Sequence, residues 1–143
     1  MPESAAHAGL VQAVIAFAEF ELGAIAEIAV RDDAVHSLRG ERPPRIEGFT
    51  PDVHAVDVPT TRTLIGEAKT RADLETDHSR LQISAFLGYL ARTSGGLFVL
   101  AVPLTAGATA RRLLRQLNAP FADSPTRLIV LDGSVLPPRY PRC

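Results

Sequence analysis

Six consecutive apolar residues, Leu97-Phe98-Val99-Leu100-Ala101-Val102, constrain the fold of this chain more than any other feature. A strand that alternates apolar and polar residues can leave one face in water. A strand that is apolar at every position is expected at the centre of a sheet, with a layer packed on each side. Ser94-Gly95-Gly96 stands just before it and ends the preceding helical pattern. The chain has 143 residues, the size of one domain, and at 46% apolar and 22% charged it can build a packed core around such a strand.

The rest of the chain supplies those layers. Residues 5–22 carry Leu10, Val11, Val14, Ile15, Ala18 and Leu22 at helical spacing, with Ser4 as N-cap and Gly23 as stop. Residues 24–31 read as a short strand, and residues 32–45, with Gly40, Pro43 and Pro44, as a long loop. Two strand-like runs follow, 53–58 and 63–69, separated by Pro59-Thr60-Thr61-Arg62 as a hairpin turn. Residues 74–93 form the next helix, with Leu81, Ala85, Phe86, Tyr89 and Leu90 on its apolar stripe. A short Arg-rich helix at 109–118 and a strand at 127–131 complete an α-β-β-β-α-β-α-β order. That order implies an α/β fold, a single mixed β-sheet flanked by helices, over residues 1–136, with 137–143 as a loose tail.

Several function classes are disfavoured. No uninterrupted apolar run approaches the roughly 20 residues of a membrane span, and Met1-Pro2-Glu3-Ser4 lacks the basic start of a signal peptide. The single cysteine, Cys143, excludes an internal disulfide or a Cys-based zinc site. A cytoplasmic protein with no membrane association is expected. The net charge of −1 does not mark a nucleic-acid binder, although a local patch matters more than the sum. Of 15 basic residues only Lys69 is a lysine. A lone lysine against an arginine background suggests a position that arginine cannot fill, because lysine can lose its proton when partly buried.

The hairpin places that lysine. A loop at 59–62 pairs Val58 with Thr63, so Asp52 is expected opposite Lys69 and His54 opposite Glu67. Side chains alternate faces along a strand, which puts Asp52, His54, Glu67 and Lys69 on one face. Asp52 and Glu67 become diagonal neighbours about 7–8 Å apart. Two carboxylates at that separation can share a hard cation such as Mg²⁺, which prefers oxygen ligands. An ammonium beside them suits phosphodiester cleavage, where it can orient or deprotonate the attacking water. The plainer reading is a cross-strand ion pair worth roughly 0.2–1 kcal/mol. Against it stand the glycine-bearing turn before Pro51-Asp52, a glutamate inside an otherwise apolar strand, and the identity of Lys69.

Gly48-Phe49-Thr50-Pro51-Asp52-Val53 followed by Ile65-Gly66-Glu67-Ala68-Lys69-Thr70 resembles the PD-(D/E)xK nuclease superfamily. Fourteen residues separate Asp52 from Glu67, within the spacing usual for that family. Ser79-Arg80-Leu81-Gln82 resembles the motif helix of its restriction-endonuclease-like and VRR-nuclease branches. Residues 94–102 resemble the next strand of archaeal Holliday-junction resolvases. The resemblance covers roughly residues 8–103. It implies a restriction-endonuclease-like domain and a Mg²⁺-dependent DNA endonuclease in which Mn²⁺ can substitute. It further implies that Asp52, Glu67 and the Ala68 carbonyl bind the metal, that Lys69 is the catalytic lysine, and that Gln82 reaches the site from the following helix. Gln82 also shares an inward stripe with Phe86 and Tyr89.

The sequence departs from the family pattern in the first helix, where many relatives carry a metal-binding glutamate. The nearest equivalent is Gln12; Glu19 and Glu21 lie closer to the helix end, where solvation is the expected role. His7, His36 and His78 have no ligand spacing. Arg39, Arg42 and Arg45 in the loop before the hairpin, with Arg71 and Arg80 after it, are candidates for contacting DNA phosphates. Arg111, Arg112 and Arg115 form a second cluster. Cutting both strands of a duplex needs two sites, so a homodimer is expected. The competing reading is a catalytically inactive module of the same fold, for nucleic-acid binding or protein assembly.

Overall fold

The structure, a computed structural model, describes residues 5–23, 27–32, 43–58 and 62–133, with residues 27–32 as a backbone path. Among them lie α1 (Ala5–Gly23), β1 (Glu27–Asp32), β2 (Val53–Val58), β3 (Thr63–Ala68), α2 (Arg71–Leu74), α3 (Asp77–Ala91), β4 (Gly96–Ala101), α4 (Gly107–Asn118) and β5 (Arg127–Leu131). The strands form one mixed sheet in the order β1-β2-β3-β4-β5. The first two pairings are antiparallel and the last two parallel. The expected α/β class and element order are therefore observed.

The continuous apolar segment behaves as its composition requires. Every residue of β4 is buried, between β3 and β5. Its Leu97, Val99 and Ala101 join Val53, Ala55, Leu64 and Ala68 against α1, which contributes Val11, Val14, Ile15, Ala18 and Leu22. Its Phe98 and Leu100 point to the other face with Ile65, under Ile83, Phe86, Leu87 and Leu90 of α3 and Ala110, Leu113 and Leu114 of α4. Parallel pairing of β3, β4 and β5 requires crossovers, and α3 and α4 supply them. One stretch of α1, Ala5–Leu22, has a mean hydropathy of 1.3, apolar enough by length and composition to span a membrane. In this fold its apolar stripe is packed on the sheet.

Three local expectations are corrected. The strand expected at 24–31 runs Glu27–Asp32. The helix expected at 74–93 is two helices. Thr70 caps α2 by accepting from the Asp73 N–H, and Thr76 caps α3 by accepting from the Ser79 N–H. A threonine that accepts such a bond takes an extended backbone, which interrupts the helix. The α3 stripe is also rotated from the expected one: Ile83, Phe86, Leu87 and Leu90 are buried, whereas Leu81 is 65% exposed.

The third correction is the hairpin register. Val53 pairs with Gly66, His54 with Ile65, Ala55 with Leu64 and Val56 with Thr63. His54 is thus opposite Ile65, not Glu67, and extending the ladder puts Asp52 opposite Glu67, not Lys69. The cause is a clamp at the turn. The Asp57 carboxylate accepts the Arg62 N–H at 2.7 Å and faces its Nε at 3.4 Å, while the Asp57 N–H reaches the Arg62 carbonyl at 3.4 Å. The hairpin closes one pair earlier than expected, and Val58 is left to pair with Glu27 of β1. A two-residue change of partner keeps every side chain on its face, since the period of a strand is two.

Candidate metal and phosphodiester site

A tight turn delivers Asp52 to the sheet. Ile46 and Phe49 exchange backbone hydrogen bonds at 2.7 and 2.9 Å across Glu47-Gly48. Both central residues have positive φ, 54° and 84°, the conformation of a type I′ hairpin turn, for which glycine at the second position is favoured. Phe49 then packs edge-on against Phe86 of α3. The next residues, Thr50 and Pro51, carry the chain to Asp52 at the mouth of β2.

The two carboxylates are locked by each other's backbone. The Ala68 N–H donates to Asp52 Oδ2 at 2.8 Å, and the Asp52 N–H donates to Glu67 Oε1 at 3.0 Å. In an extended strand the N–H and C=O of one residue leave by the same edge. The Ala68 carbonyl therefore faces the side on which Asp52 lies. Lys69 continues past β3, its N–H held by the Ala101 carbonyl at 3.0 Å. Its ammonium donates to Gln82 Oε1 at 2.5 Å and lies 3.6 Å from Glu67 Oε2. Gln82 is buried on α3 and reaches across the helix–sheet junction to do this.

Electrostatically the cluster holds excess negative charge. Glu67 is 1% exposed. Burial, and next the carboxylate of Asp52, push its pKa well above the usual glutamate range, with the Lys69 ammonium acting in the opposite direction. Two carboxylates facing one ammonium leave a deficit of positive charge, which a proton on Glu67 or a bound cation can fill. The donor set therefore suits a hard divalent cation: two carboxylates, one backbone carbonyl and a rim open to water. Among the described residues no three His, Cys, Asp or Glu side chains gather as a set able to hold an ion by themselves. Asp52, Glu67 and the Ala68 carbonyl would be the protein ligands, with water completing the shell, as Mg²⁺ favours.

The structure brings Asp52, Glu67, Ala68, Lys69 and Gln82 together. It also adds His7, which the sequence reading left unassigned. His7 Nε2 lies 3.4 Å from Asp52 Oδ2, at the N-terminal end of α1. The first-helix alternatives sit elsewhere. Gln12 and Glu19 are exposed. Glu21 binds Arg127 of β5 at 2.6 Å, about 21 Å along the helix axis from His7. The only signal for His7 was its position one turn into an amphipathic helix; its approach to Asp52 spans 45 residues of sequence and depends on how α1 packs.

The arginine candidates divide. Arg39 and Arg42, like His36 and Cys143, lie outside the described residues. Arg45 is exposed and donates to the Gly48 carbonyl at 2.7 Å, bracing the turn. Arg71 is exposed at the first residue of α2, and Arg80 is half-buried on the first turn of α3. Comparison of the chain with protein-family models, with curated proteins and with solved structures found no match.

Proposed function

We propose that this protein is a metal-dependent nuclease of the PD-(D/E)xK kind that hydrolyses phosphodiester bonds in DNA. The observation that carries the proposal is the convergence of Asp52, buried Glu67 and Lys69, cross-bonded by backbone and by Gln82. An ion pair on a sheet surface needs neither a glutamate at 1% exposure nor a second carboxylate beside it. Mg²⁺, when bound, would neutralise charge on the phosphate and lower the pKa of a coordinated water.

Every other part belongs to the chain. Asp52 and Glu67 would hold the cation, and the two backbone N–H groups fix their orientation so that little reorganisation would be needed on binding. Gln82 accepts from Lys69 and so aims the ammonium across the carboxylate pair. From there Lys69 orients the attacking water and stabilises the negative charge that develops on the phosphate. His7 approaches the same Asp52 oxygen, Oδ2, that accepts the Ala68 N–H, and so helps to limit rotation of the carboxylate. Arginine would not serve in place of Lys69 where a proton must be taken from the water, because a guanidinium keeps its proton. Specificity would come from a second copy of the chain, DNA shape or a partner.

The test is cleavage of a panel of single-stranded, duplex, flap and four-way-junction DNA, with RNA counterparts, in Mg²⁺, Mn²⁺ or EDTA. Cleavage is expected with either metal and is lost in EDTA. Lys69→Ala and Lys69→Arg should each lower the rate by about 10²–10⁴-fold with the fold intact by circular dichroism. No cleavage of any substrate by the wild-type protein would reject the enzyme and favour a binding module.

A further inference from the structure

We propose that the groove between α2, the start of α3 and α4 is a subsite for the sugar-phosphate backbone of the nucleic acid, with Arg80 and Arg112 as its phosphate ligands. This rests on the nuclease reading and extends it to residues of α4. The groove has a volume of about 260 Å³ and a floor made by Leu74 and Leu113. That is below the roughly 300 Å³ at which sites begin to enclose a whole small molecule, but it accommodates a phosphate group with its waters. Arg80 enters from α3, and Arg112 from α4, flanked by Thr109 and Gln116, which supply further hydrogen-bonding groups.

The arginines whose side chains are described fall into two sets. Arg45, Arg62, Arg92, Arg111 and Arg127 each hold a carboxylate or a carbonyl. Among the described residues Arg71, Arg80, Arg112 and Arg115 make no ion pair or side-chain hydrogen bond. All four of these stand on α2, α3 or α4, the helices on the Glu67 and Lys69 side of the sheet. Two of them, Arg80 and Arg112, line one groove over an apolar floor, and neither is held in an ion pair there. Glu75 lines the same groove, yet it forms no ion pair with either. Cations collected in this way, with their donors unused, suit an anion brought from outside.

Location selects which anion. Arg80 and Gln82 are two residues apart on α3 and so leave the helix about 200° apart: Gln82 turns to the sheet, where it touches Lys69, and Arg80 lines the groove shared with α4. A strand whose scissile phosphate sits at Lys69 and which runs on over the start of α3 would bring a later phosphate to the groove. Phosphate contacts of this kind give affinity and register without reading sequence.

The test measures binding of the best-cleaved labelled oligonucleotide by fluorescence anisotropy, in EDTA to prevent cutting, over a series of salt concentrations. Arg80→Gln/Arg112→Gln is expected to weaken binding about 10- to 100-fold and to lower the salt dependence by about two phosphate contacts. KM should rise with kcat unchanged, the mark of lost uniform binding. Glu75→Gln should tighten binding, and Arg92→Gln, outside the groove, should change nothing. If the wild type cuts but the double variant keeps its affinity and salt slope, the subsite is wrong and the nuclease reading stands. If the wild type neither binds nor cuts any substrate, both fall. If inorganic phosphate shifts the Arg80 and Arg112 Nε–H resonances while oligonucleotide affinity is indifferent to the substitutions, the groove binds free phosphate and the assignment to nucleic acid is overturned.

Discussion

Glu67 keeps an ionisable group where water does not reach, and that has a thermodynamic signature. Its pKa in the folded protein lies above the unfolded value, so the folded state retains a proton that the unfolded chain releases. Stability of the metal-free protein should therefore fall as pH rises from the ordinary glutamate range through the raised value. Glu67→Gln removes the titrating group and leaves an oxygen to accept the Asp52 N–H. In EDTA at neutral pH this variant should be more stable than the wild type, by on the order of 1 kcal/mol, and the two should converge in acid. Urea denaturation across the pH range measures this; a wild type that gains on the variant as pH rises contradicts it. Much of this cluster was legible beforehand. The lone lysine, the glutamate within an apolar strand and the Pro51-Asp52 opening all pointed to residues that the fold brings together. His7 was not legible, because a helix start carries no mark of which loop it will touch.

At the scale of elements, the packing of α1 against the hairpin decides whether the site assembles. Gly66 sits at the closest approach: a Cβ there would lie 2.2 Å from Val14 Cγ1, and Val14 is fully buried. A β-branched side chain in a helix is stiff at χ1 and cannot step aside. Gly66→Ala should cost about 1–3 kcal/mol through overpacking, and Val14→Ala should recover part of that loss in the double variant. Additive losses in denaturant titrations would show that helix and strand do not meet there. Arg62 reinforces the same junction by donating to the Glu21 and Leu22 carbonyls at the end of α1. Element order was readable because apolar periodicity switches cleanly between helix and strand. The hairpin register was not, since the Asp57–Arg62 clamp sets it through side-chain bonds that a turn sequence does not reveal. The break between α2 and α3 was missed for a related reason: Leu74 belongs to the core, and its apolarity disguised the capping threonine two residues later.

At the scale of the whole molecule the net charge is −1. Among the described residues Glu21 and Glu47 are matched with Arg127 and Arg92, while the arginines without an ion pair stand on α2, α3 and α4, interleaved with Asp73, Glu75 and Asp77. Glu67 and Lys69 share the face of the sheet that carries Ile65 and is covered by α3 and α4. The chemistry proposed for that side depends on Asp52 and Glu67 accepting a divalent cation between them. The most direct measurement is anomalous diffraction from crystals soaked in Mn²⁺. A peak should stand between the Asp52 and Glu67 carboxylates beside the Ala68 carbonyl, and should vanish in Asp52→Ala crystals of unchanged fold. No peak there at saturating Mn²⁺, with Glu67 still bonded to the Asp52 N–H, would contradict the account at its centre.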